Sequence, residues 1–162
     1  GWINWDISEK SAELQDFTRY LIELRQRNPL LRRNRFFTGA YNEQLDIKDV
    51  SWIQPNGQEM GVDQWNDSAA RCMGILLDGR AQPTGIRRAG GDNSLLIIVN
   101  SHFDVVDFVL PEVPQGQHWK LQLDTNQTDF EPGEVFQFGT SYQVTGRSTL
   151  LFELAVSKKK KR

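Results

Sequence analysis

A change of period near residue 35 constrains this chain most. Before it, apolar residues recur at helical spacing; beyond it, short apolar runs alternate with turn signals. One element cannot satisfy both a 3.6-residue and a 2-residue repeat. The chain therefore reads as one helix followed by an all-β region.

The helical stripe is Leu14, Phe17, Leu21 and Leu24, with Ile22 beside it, in a helix running from about Ser11. Ser8 or Ser11 can cap its start by accepting a bond from an unpaired backbone N–H, and Glu13 suits the positive end of the helix dipole. Arg25 and Arg27 suit the other end. Asn28-Pro29 stops the helix, because proline disfavours a helical residue before it. Burying four such side chains is worth about 6–12 kcal/mol, so the stripe needs a covering partner, and no second helix is evident to supply one.

Strands are expected at residues 50–54, 58–60, 71–77, 95–100, 105–110, 135–138, 142–145 and 149–154. Pro55-Asn56-Gly57, Asp78-Gly79 and Pro111 punctuate them. Trp119, Leu121 and Leu123 alternate with Lys120, Gln122 and Asp124, which predicts one buried and one wet face. Short strands with turns at regular intervals predict a mainly β chain built as an antiparallel sandwich. Residues 38–48 and 80–93 read as long loops, with Gly90-Gly91-Asp92-Asn93 a turn.

Composition narrows the function classes. A chain of 162 residues, 38% hydrophobic and 25% charged, can bury a core and holds one domain, or one domain and part of another. The 19 Lys+Arg and 21 Asp+Glu nearly cancel, which argues against a nucleic-acid binder. No apolar run spans a bilayer and no signal peptide opens the chain, so a soluble, cytoplasmic protein is expected. The single cysteine, Cys72, excludes an internal disulfide and lies in an apolar strand, which makes it an inert core thiol.

Catalytic constellations are missing. His102 and His118 are the two histidines, expected at loop or strand-end positions, and no metal-ligand spacing, nucleophile elbow or phosphate loop occurs. Neither a catalytic residue, a metal site nor a cofactor is expected. Asp104, Asp107, Asp124, Asp129, Glu131 and Glu134 read as solvated acids. Arg25, Arg27, Arg32, Arg33 and Arg35 serve the helix end and ion pairs, and residues 158–162 form a basic tail. Indole packs well on the flat C–H faces of sugars but also fills cores. Trp52 and Trp119 read as core or interface, whereas Trp2, Trp5 and Trp65 are candidates for sugar or domain contact.

A series of short motifs then points to a family. It opens with Trp2-Ile3-Asn4-Trp5-Asp6, Phe17-Thr18-Arg19-Tyr20-Leu21-Ile22-Glu23-Leu24-Arg25 and Asn28-Pro29-Leu30-Leu31-Arg32-Arg33. It continues with Asp49-Val50-Ser51-Trp52-Ile53-Gln54-Pro55-Asn56-Gly57, Gln64-Trp65-Asn66-Asp67, Arg71-Cys72-Met73-Gly74-Ile75-Leu76-Leu77-Asp78-Gly79 and Asp92-Asn93-Ser94-Leu95-Leu96-Ile97-Ile98-Val99-Asn100. In this order, over nearly the whole chain, they resemble the end of an isoamylase-type glycogen-debranching enzyme of the α-amylase superfamily, glycoside hydrolase family 13.

The resemblance implies a (β/α)8 barrel followed by a C-terminal antiparallel β domain, hydrolysing α-1,6 branch linkages in glycogen or limit dextrin. Its catalytic Asp, Glu and second Asp lie upstream, so none falls on a residue here and the chain alone is expected to be inactive. Residues 1–34 would be the last barrel loop and last barrel helix, 35–157 the β domain and 158–162 the tail. Trp2 and Trp5 would lie at the barrel's catalytic face, either approaching the sugar cleft or wedging the loop; we favour the wedge. The implied partner is the upstream barrel, with α-glucan contact possible and no nucleic acid or membrane. Because it opens inside a motif, the chain reads as a fragment. The alternative is a stand-alone α-glucan-binding module.

Overall fold

The computed structural model describes residues 2, 5, 7–81, 93–127 and 131–156. Helix α1 spans Glu9–Arg27, and Ser8 caps it by accepting from the N–H of Ser11. It ends where expected, with Asn28 extended before Pro29, and a 3-10 turn follows at Pro29–Arg32. Strands β1 (Tyr41–Asn42) and β2 (Ile47–Lys48) pair as a small ribbon inside a stretch expected to be loop. Asn42 closes it: its side-chain oxygen accepts from the N–H groups of Gln44 and Leu45.

Strand β3 (Val50–Ile53) leads through a hairpin to a one-turn helix, α2 (Val62–Trp65). Then come β4 (Cys72–Asp78), β5 (Ser94–Asn100), β6 (Val106–Val109), β7 (Gly116–Asp124), β8 (Val135–Phe136), β9 (Ser141–Val144) and β10 (Ser148–Val156). The main sheet has six strands in the order β3-β4-β5-β10-β7-β8, all antiparallel. Strands β6 and β9 form a separate antiparallel ribbon. The turn Pro55-Asn56-Gly57 needs its glycine: Gly57 has φ +82°, and a Cβ there would meet the Val109 carbonyl at 3.0 Å.

The arrangement is a lopsided antiparallel sandwich. On the front of the main sheet, Ile53, Leu96, Ile98, Leu121, Leu150 and Phe152 pack against Phe108 and Val144 of the β6–β9 ribbon. Phe136, Tyr142 and Phe152 meet edge to face there, with centroids 5.3–5.9 Å apart. On the back, Leu77, Leu95, Leu123 and Leu151 pack against Leu24 and Leu30, with Tyr20, Leu21 and Phe37 partly buried beside them. The sheet is thus covered on both faces, which is why β5 reads as a continuous apolar run.

The alternation expected along β7 is broken. Leu151 pairs with Leu123, but Phe152 pairs with Leu121, so Gln122 is an extra residue in β7. This bulge reverses the faces beyond it. Trp119 and Leu121 point to the front cluster, whereas Leu123 points to the back. The same reversal corrects the reading of Asp124. Far from being solvated, it is 3% exposed and accepts from the Tyr142 hydroxyl at 3.0 Å.

Candidate functional site

The bulge is also where α1 docks. The Tyr20 hydroxyl donates to the carbonyl of Gln122, and Arg27 donates to Gln122 Oε1 at 2.6 Å. Arg27 also lies over the Tyr20 ring. The next residue, Asn28, is buried and donates to the Leu24 carbonyl, while Asn93 donates to Glu153 at 2.9 Å and reaches Asn28 Oδ1 at 3.4 Å. The C-terminal half of the helix is therefore fixed to the sheet by apolar burial and a polar clamp.

The N-terminal half is not. Leu24 is 3% exposed and Leu21 half-buried, but Leu14 is 65% exposed and Phe17 is exposed as well. Ile7, Ile22 and Phe36 add apolar surface nearby in sequence. Half of the stripe that marks the helix in the sequence is uncovered. Covering Leu14 and Phe17 would contribute about 3–6 kcal/mol at most.

Trp2, Trp5 and Trp65 are all exposed, and they sit on different elements: the first two precede α1, the third ends α2. Trp65 meets the half-buried Trp52 edge to face at 5.4 Å. No aromatic contact joins Trp65 to Trp2 or Trp5 among the described residues. Trp119 is fully buried, and its indole N–H donates to the Pro111 carbonyl at 2.8 Å, as suits a core residue.

Of the acidic residues, Asp104, Asp107, Glu131 and Glu134 are exposed, Asp124 is the buried partner of Tyr142, and Asp129 lies outside the described residues. Gly90, Gly91, Asp92 and the tail at 158–162 also lie outside them. Burial pushes the Cys72 thiol up to about 11, the opposite of an activated nucleophile. His102 stands in the turn after β5, whereas His118 lies within β7 rather than at its end. Among the described residues no group of three or more His, Cys, Asp and Glu could hold a metal. No helix there is long and apolar enough to cross a membrane.

The arginines around the helix end divide. Arg27 binds Gln122, Arg32 donates to the Gln26 carbonyl, and Arg33 pairs with buried Asp49 at 3.5 Å beneath its stacking on Phe37. Asp49 also accepts from the N–H groups of Thr38 and Gly39, so it pins the connection from helix to sheet. Sequence reasoning missed a different surface. Beyond the ends of β4 and β5, Ala69, Arg71, Ser101, His102, Phe103 and Arg147 line a depression of about 410 Å³. Its only sequence signal is an aromatic residue beside a histidine in a turn.

These features define a two-layer β domain with one half-docked helix, and the chain belongs to the isoamylase C-terminal family, which matches residues 49–153. It is 31% identical over 153 residues to "Glycogen operon protein GlgX homolog" of Mycobacterium tuberculosis (strain ATCC 25618 / H37Rv), an alignment covering 93% of this chain and 21% of that protein. It is 24% identical to "Isoamylase" of Flavobacterium sp, covering 92% of this chain and 18% of that one. With "Glycogen debranching enzyme" of Klebsiella pneumoniae (strain 342) it shares 33% identity, over 68% of this chain and 13% of the relative. The chain spans about a fifth of the length of the mycobacterial relatives it matches.

Proposed function

We propose that this chain is the C-terminal portion of a glycogen-debranching glycoside hydrolase acting on α-1,6 branch linkages in glycogen or limit dextrin. Its part in that enzyme is to cap and stabilise the catalytic barrel. Residues 1–34 are the last loop and helix of the barrel, 35–157 the β domain and 158–162 a basic tail. The names of the relatives and the small share of their length that is matched support this reading. The half-covered helix carries it: one end of α1 is fixed to the β domain and the other presents Leu14 and Phe17 outward. A barrel packed on that half would join the two parts through one shared element, and the bond-breaking carboxylates would belong to the barrel.

The test is a graft of this chain in place of the matching segment of the mycobacterial relative. The graft should be soluble and release reducing ends from limit dextrin. Leu14→Glu with Phe17→Glu should abolish this while leaving the melting of the isolated chain unchanged. Reducing ends released by the isolated chain, or a double variant that is active in the graft, would overturn the reading.

The exposure of Trp2, Trp5 and Trp65 favours the second reading, a module that binds α-glucan without a barrel. It requires shifts in indole fluorescence on adding a malto-oligosaccharide to the chain alone.

A further inference from the structure

Phe103 is 76% exposed, yet the turn that carries it is held by several hydrogen bonds. The buried Asn100 side chain donates to the carbonyls of Asp104, Val144 and Thr145, each at 3.1 Å, and its oxygen accepts from the His102 N–H at 2.9 Å. His102 Nδ1 accepts from the Asp104 N–H, and the His102 carbonyl accepts from the N–H of Arg147. Gly146 lies so close that a Cβ there would run into the Phe103 carbonyl. Arg147 adopts φ +57° to make its contact. Such anchoring fixes the backbone that carries an exposed ring, which lowers the cost of ordering that ring against a ligand.

The rings of His102 and Phe103, both lining the depression, stack with centroids 4.3 Å apart at 28°. The rest of the lining is largely polar. Arg71 is held by its own bonds to the carbonyls of Ser68 and Ala70, the Ser101 hydroxyl donates to the Arg71 carbonyl, and Arg147 is exposed. Asp67 and Asp104 adjoin the lining residues in the chain and accept from the N–H groups of Ala69 and Val105. A stacked ring pair lining the same depression as guanidinium donors and a hydroxyl suits a hexose. The hexose offers C–H groups on its ring face and hydroxyls around its rim. The volume suits on the order of one or two hexose rings.

We infer that the depression formed by Phe103, His102, Ser101, Arg71 and Arg147 is a binding subsite for an α-glucan chain. A glucose ring stacks on Phe103, and the two arginines donate to its hydroxyls. The choice of α-glucan rests on the proposed enzyme class; the site itself rests on the local geometry. Its function would be to hold a substrate chain on the β domain.

The 162-residue chain is titrated with maltohexaose, and separately with inorganic phosphate, while backbone amide shifts are followed. Maltohexaose at on the order of 10 mM should shift the amides of residues 101–104 and 147 saturably. Phe103→Ala should weaken this by roughly tenfold, with the fold unchanged because the ring is exposed, and Arg147→Asn, which tolerates the same backbone, should weaken it as well. The inference is overturned by shifts confined to Trp2, Trp5 or Trp65, by an affinity that Phe103→Ala leaves intact, by saturation with phosphate but not sugar, or by no shifts at all. None of these outcomes bears on the graft experiment, so the two readings fail separately.

Discussion

The Tyr20 hydroxyl donates to the carbonyl of Gln122, the residue that the bulge adds to β7. A bulge leaves backbone groups out of the ladder, and here one of them serves as the socket for a helix. Tyr20→Phe keeps the ring and strands a largely buried carbonyl, at a cost of about 1–3 kcal/mol. A lower urea midpoint with an unchanged slope is expected, together with faster amide exchange in α1.

The two halves of the helix stripe should differ in their response to truncation. Leu24→Ala removes a buried side chain from the back cluster and should cost about 2–5 kcal/mol. Leu14→Ser, at an exposed position, should change the stability of the isolated chain by less than about 0.5 kcal/mol. Equal losses in urea melts would show that the N-terminal half is covered.

Gly74 has an ordinary backbone angle, and space alone explains it. A Cβ there would meet Phe108 Cζ at 2.8 Å, Leu96 Cδ1 at 3.1 Å and Ile53 Cβ at 3.2 Å, where the β6–β9 ribbon crosses the sheet. Gly74→Ala should overpack this point and destabilise the domain by about 1–3 kcal/mol. Thermal melts of the variant give the value.

Burial raises the Cys72 thiol from 9.0 to about 11. The native state therefore holds its proton where the unfolded chain has lost it. The contribution is complete below pH 9 and is lost as pH rises from about 9 towards 11. Cys72→Ala should flatten that part of the stability profile. In native wild type the thiol should react with a disulfide reagent at pH 8 only as fast as the domain opens.

Tyr142→Phe leaves one carboxylate oxygen of buried Asp124 without its donor. A loss of about 1–3 kcal/mol is expected, and Asp124→Asn with Tyr142 intact should lose less. Melts of the two single variants check the order.

Local signals announced the helix stop and the main strands because each has a local cause. Pro29 forbids a helical Asn28, and 95–100 is a run of the length a buried strand needs. The bulge at Gln122 had no such cause, since its register is set by β10, whose residues lie well downstream. Asp124 looked solvated because its donor, Tyr142, is 18 residues away. The β1–β2 ribbon is too short to carry a period. Leu14 and Phe17 showed which face of α1 is apolar, but a period cannot say how far along the helix the neighbouring sheet extends. Trp2, Trp5 and Trp65 are candidates for sugar or barrel contact by residue type alone. Phe103 is not, because its anchoring comes from Asn100 and Gly146 at a distance.

The strand order carries a consequence for biosynthesis. Among the described residues β10 is the last strand, and it lies between β5 and β7. A nascent chain that has emerged only as far as residue 147 holds two half-sheets, each with a naked inner edge: β5, rich in leucine and isoleucine, and β7, with Trp119, Leu121 and Leu123. Such edges recruit strands from other chains. The domain therefore closes only when Ser148–Val156 leaves the ribosome and slots between them, so its final strand acts as a keystone. A truncation in that strand should yield insoluble protein, whereas one made after it should not.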